Sequence, residues 1–127
     1  YDGPIYDYTI NEWISKCHCR ILWLCDTCHS GDMYRDARPV VFNARSIPKN
    51  FDGQMILISG CTAEGTSQSS GDGGVLSTAL LKTGPENQTP YGWGVAVKKI
   101  VPATTQEPQY VEWNVTDDFR NGIIIEK

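Results

Sequence analysis

The chain has no apolar run near the roughly 20 residues that a membrane-spanning helix needs. A membrane is therefore not expected among its partners. A basic surplus is also absent: 11 Lys and Arg stand against 15 Asp and Glu, for a net charge of −4. Nucleic-acid binders carry a basic patch or stripe, so no nucleic-acid partner is expected. Only two histidines occur, which restricts imidazole chemistry to His18 and His29. No basic-then-apolar leader opens the sequence, so secretion is not expected, nor is glycosylation at the two N-x-T sequons of Asn87 and Asn114. Internal repeats and low-complexity tracts are missing too.

What is present fits one globular domain over residues 1–127. Hydrophobic residues make up 40% of the 127 and charged residues 20%, values of an ordinary folded chain. The five cysteines are odd in number, and four fall between Cys17 and Cys28. That clustering is not a disulfide framework and points to a reducing, cytoplasmic setting. The start at Tyr1 leads to the expectation of a larger parent polypeptide.

Two short apolar runs read as strands buried on both faces, as in a parallel sheet. They are Arg20–Cys25 and Met55–Ser59. Residues 10–16 read as a short helix with Ile10, Trp13 and Ile14 on one face, and a short element near residues 40–42 is conceivable. Val75–Lys82 reads as a second helix, stopped by Gly84-Pro85. Residues 60–74, rich in Gly, Ser and Thr, read as a long loop. The alternation of Val95 and Val97 predicts a third strand over 94–101, and residues 110–115 and 123–125 read as short terminal strands. The order predicts an α/β layered fold. Three central strands are few for such a sheet, so this chain is expected to supply only part of it.

The first strand runs into Asp26-Thr27-Cys28-His29-Ser30-Gly31, a polar turn closed by glycine. Open α/β sheets gather catalytic groups at the carboxyl ends of their strands, so Cys28 sits where a nucleophile would be placed. A cysteine peptidase needs a thiolate, a base to form it, and backbone N–H donors for the oxyanion. The tight turn at Gly31 is suited to offer such donors.

This segment resembles the D-x-C-H-S-G motif of metacaspases, the caspase-like cysteine peptidases. Further matches follow in order. Ser59-Gly60-Cys61 ends the second strand, and Thr66-Ser67 follows. A small-residue helix starts at Gly73-Gly74, and Gln106-Glu107-Pro108-Gln109 resembles the family's Q-x-P-Q. Ile10-Asn11-Glu12-Trp13 is a weak echo of an acidic helix start. The resemblance spans nearly the whole chain. It implies a caspase-type α/β fold, a mostly parallel sheet with flanking helices, and a cysteine endopeptidase with Cys28 as nucleophile. Asp26 would line the specificity pocket and select Arg or Lys by charge and hydrogen bonding, with Gly31 and Ser59 also on the substrate side. Asp26 would equally serve as a capping residue.

The sequence also departs from the family. Ala63-Glu64-Gly65-Thr66-Ser67 keeps one carboxylate where the family has two. No cofactor is required by the sequence. Calcium is admitted by the resemblance, but Asp32 and Asp36 do not reproduce the family's acidic cluster.

The general base is missing. In caspases the histidine lies about 50 residues before the cysteine, and His18 is the only one before Cys28. A six-residue strand is about 20 Å long, so His18 is expected at its wrong end. His29 belongs to the motif but is not the family's base. The expected partners are therefore a peptide or protein substrate and an N-terminal segment or subunit carrying the histidine. The alternative is a catalytically inactive caspase-like scaffold. Zinc binding by Cys17, Cys19, Cys25 and Cys28 would require the two ends of one strand to meet on a metal. A thioredoxin-like Cys25-x-x-Cys28 would require a helix to open at the motif.

Overall fold

A computed structural model describes residues 12–26, 51–60, 69–70, 73–102 and 105–127. They form an α/β structure. Residues 12–15 make a helical turn, α1. β1 (Arg20–Cys25) and β2 (Gln54–Ser59) follow, then the two-residue strands β3 (Ser69–Ser70) and β4 (Gly73–Gly74). α2 (Val75–Thr83), α3 (Pro90–Ile100), β5 (Gln109–Trp113) and α4 (Asp117–Asn121) complete the order.

The described sheet has the order β1-β2-β5. β1 runs parallel to β2 with Arg20 opposite Gln54 and Cys25 opposite Ser59. β5 is antiparallel to β2, with Ser59 opposite Gln109. The described sheet is thus mixed, with one pair of each sense.

Side chains alternate across a strand, and the two faces collect different partners. Met55 and Leu57 of β2 pack with Ile14, Cys25 and Phe51, supported by Ile21, Trp23, Val111 and Trp113. Ile58 packs on the opposite face with Leu76, Ala79, Leu80, Trp93, Val97 and Val101 from the α2–α3 region. Helices thus cover one face, and α1 with Phe51 covers the other.

β2 is the strand buried on both faces, with Met55 to Ser59 all inside. β1 is not, which corrects the first reading. Its middle residues are half-buried and Leu24 is 41% exposed. An equally apolar sequence occupies an edge of the described sheet.

The strand predicted over 94–101 is a helix. Thr89 accepts a hydrogen bond from the Gly92 N–H at 2.9 Å, and Pro90 stands at the first turn. That pairing of cap and proline starts a helix. Trp93 and Val97 then share a buried face, the i, i+4 spacing of a helix rather than the alternation of a strand. Gly94 brings α3 close to β5, since a Cβ there would lie 2.8 Å from Tyr110 Cδ2. Trp93 Nε1 donates to Thr83 Oγ1 at 2.8 Å and ties α3 to α2.

Other expectations fare unevenly. α2 matches its prediction and ends at Gly84, which takes φ +66° and donates its N–H to Leu80. In the first helix Ile14 is buried but Trp13 is half exposed. The predicted loop contains the β3–β4 hairpin. Residues 123–125 contribute one parallel bridge, Ile125 to Glu86, rather than a strand. The element expected near residues 40–42 lies outside the described residues.

Candidate functional site

The carboxyl ends of β1 and β2 lie side by side, as Cys25 and Ser59 are in register. The Gly60 N–H donates to the Cys25 carbonyl at 2.9 Å and holds the two exits together. Ser59 is fully buried. It lies at this end of the sheet, in register with Cys25 and Gln109.

Asp26 leaves β1 on the helix side. Ser77 donates its backbone N–H at 2.9 Å and its hydroxyl at 2.7 Å to Asp26 Oδ2. Ser77 is in the first turn of α2, where backbone N–H groups lack helical partners. The residue before the helix is Gly74, which supplies no side-chain cap. Asp26 therefore caps α2 across 51 positions of sequence, and its charge is favoured by the positive end of the helix. The contact is close: a Cβ on Gly74 would stand 1.8 Å from Asp26 Oδ2.

A third segment closes the base of the site. Gln106 is 5% exposed, and its Nε2 donates to the Gly60 carbonyl at 2.5 Å. Gln109 lies in register with Ser59 on β5. The Gln106-x-Pro108-Gln109 element thus reaches the same strand ends as Asp26.

Cys28, Gly31, Cys61, Thr66, Ser67, Asp32 and Asp36 lie outside the described residues. Cys28 follows Asp26 by two residues, a chain reach of at most about 7 Å. Among the described residues no group of three His, Cys, Asp or Glu side chains could hold a metal ion.

His18 is at the other end. Its Nδ1 lies 2.6 Å from Asp52 Oδ1, both side chains exposed. Asp52 precedes β2 as His18 precedes β1, so both sit at the amino ends of the parallel pair. Cys17 and Cys19 are beside them, and Cys25 is at the far end of β1. A tetrahedral zinc site joining these cysteines does not assemble among the described residues. Burial first, and Cys19 beside it second, push the Cys17 thiol above its ordinary value.

Sequence reading missed Ser77, Gly74 and Gln106 as parts of this site. One signal was available for the first two. A helix that starts after Gly-Gly has no local cap, so its cap must come from elsewhere.

No family model matches the chain, and neither a curated protein nor a solved structure does. No helix among the described residues is long and apolar enough to cross a membrane.

Proposed function

We propose that the chain is the cysteine-bearing part of a metacaspase-like cysteine endopeptidase that cleaves after Arg or Lys in a cytoplasmic setting. The observation that carries this reading is the junction of β1, β2 and α2, where Asp26 is held two residues before Cys28. The motif's Asp26, the strand end and the helix N-terminus coincide there. The parallel β1–β2 pair followed by an antiparallel β5 agrees with a caspase-type sheet supplied in part.

In the proposed reaction an imidazole takes the Cys28 thiol proton as Sγ bonds to the scissile carbonyl carbon. Backbone N–H groups of the turn ending at Gly31 hold the oxyanion. The imidazolium then protonates the leaving amine as the C–N bond breaks. Water attacks the acyl carbon, gives its proton to the imidazole, and releases the carboxylic acid with the thiol restored. Asp26 Oδ2 is taken by Ser77, so the selecting role falls to the remaining carboxylate oxygen and to net charge.

One observation favours the alternative of an inactive scaffold: the histidine described is at the far end of β1. The two readings separate on hydrolysis of fluorogenic peptides ending in Arg, Lys or Asp. A peptidase is expected to cut the first two, to lose all activity in Cys28→Ala and to keep it in Cys61→Ala. Undiminished turnover in Cys28→Ala would sink the mechanism.

A further inference from the structure

The Asp26 carboxylate reaches the first turn of α2 with its two oxygens unequally engaged. Oδ2 accepts two hydrogen bonds, from the Ser77 N–H at 2.9 Å and from the Ser77 hydroxyl at 2.7 Å. An ionised carboxylate has about four lone-pair sites, two on each oxygen. Ser77 therefore fills Oδ2. Among the described residues Oδ1 has no hydrogen-bond partner. We propose that Ser77 determines how Asp26 reads a cationic side chain: it leaves one carboxylate oxygen for the substrate, so that lysine is taken as readily as arginine. This rests on the peptidase reading. Ser77 acts through Asp26 and is a positioning residue.

The two cations ask different things of a carboxylate. A guanidinium gains most from a fork, two parallel N–H donors placed on the two oxygens. An ammonium is a compact point charge with three rotatable donors, and one oxygen serves it. A fork on Asp26 would have to place its second N–H on Oδ2, where both sites are taken. Arginine is thereby reduced to a contact through Oδ1, which lysine makes equally well. The advantage that a bidentate site gives arginine is withheld.

The carboxylate has no way around this. Turning it about its bond exchanges the two oxygens and leaves one of them on Ser77. The Ser77 N–H belongs to the first helical turn, so it has no partner within the helix and stays committed to Asp26. Gly74 keeps the place clear, since a Cβ there would stand 1.8 Å from Oδ2 and 3.1 Å from Oδ1. Asp26 is half-buried and Ser77 exposed, so the pair stands at the surface rather than in the core.

Matched fluorogenic peptides ending in Arg or Lys test this, read as the ratio of the two kcat/KM values on one protein sample. The ratio cancels the fraction of folded protein, so a purely structural role for Ser77 would not move it. Wild type is expected to cut the two peptides at comparable rates, less than about tenfold apart. In Ser77→Ala only the backbone N–H remains on Oδ2 and one of its sites opens to a fork. The ratio is then expected to move toward arginine by about tenfold, the order of one charge-assisted hydrogen bond. Ser77→Thr keeps the hydroxyl and should keep the wild-type ratio. A ratio unchanged in Ser77→Ala overturns the proposal and leaves the peptidase reading standing, as does an equal shift in Ser77→Thr. A wild type that cuts Arg peptides far more than tenfold faster than Lys peptides has the same meaning. A wild type that cuts neither peptide overturns the peptidase reading and the proposal with it.

Discussion

Asp26 shows how one side chain serves two demands. Its Oδ2 collects both donors of Ser77, and its charge faces the substrate side in the proposed function. Asn and Ala variants separate the two. Asp26→Asn keeps an acceptor for Ser77 and removes the charge. It is expected to melt near wild type and lose the preference for Arg and Lys. Asp26→Ala removes the cap as well and should cost about 1 kcal/mol more, read by urea unfolding. Gly74→Ala should cost about 1–3 kcal/mol, because its methyl takes the place of Asp26 Oδ2. That loss should shrink in the Asp26→Ala background, where the clash is gone.

The two sequons also acquire a meaning at this scale. Asn87 and Asn114 both take positive φ, 58° and 53°, a conformation that asparagine tolerates better than most residues. Thr89 and Thr116, two positions on, are the N-caps of α3 and α4. Each N-x-T is thus a turn leading into a capped helix.

At the scale of elements, β2 is the strand on which both layers depend. Leu57→Ala, at a site 1% exposed, is expected to cost about 2–5 kcal/mol by guanidinium unfolding, since the cavity opens between packed neighbours. α3 depends on its start. Thr89→Ala should destabilise the protein by about 1 kcal/mol, whereas Thr89→Ser should retain most of the cap. The misreading of 94–101 as a strand has a specific cause. Val95 and Val97 mimic alternation, and the Thr89-Pro90 start signal lies just outside the window that contains them. β1 and β2 were legible as strands because each is short, apolar and bounded by polar turns. Which of them would be central was not legible, because that depends on what pairs with each.

Across the whole molecule, the sheet is tied to the C-terminal helix by charge. Arg120 Nε and Nη2 donate to the two oxygens of Glu112 at 2.7 and 2.6 Å, and Nη1 bonds Asp117. Tyr110 donates to Glu112 at 2.7 Å. The Arg120 hydrogen bonds outweigh partial burial and hold the Glu112 carboxyl below its ordinary value. Burial and the Glu112 carboxylate push the Tyr110 hydroxyl well up. A carboxyl whose folded pKa is depressed stabilises the fold above its unfolded value near 4.3. That contribution is lost as pH falls through the folded value. The stability difference between wild type and Glu112→Gln should therefore be steady at neutral pH and shrink below about pH 4. A pH series of thermal melts checks it, and a difference unchanged down to pH 3 would contradict the assignment.

The sequence by itself determined the local elements: two apolar strands and the helix stopped at Gly84-Pro85. Each follows from neighbours within a few positions, through periodicity, caps and breakers. It also placed His18 at the amino end of β1, since strand length alone sets that distance. Only the tertiary structure decided that β2 is central, that 90–100 is a helix packed on β5, and that Ser77 and Gln106 meet the strand ends. These depend on contacts between separate segments, 51 positions apart for Asp26 and Ser77 and 46 for Gly60 and Gln106. No local pattern encodes such contacts, because their energy exists only once the distant partner has been brought into place.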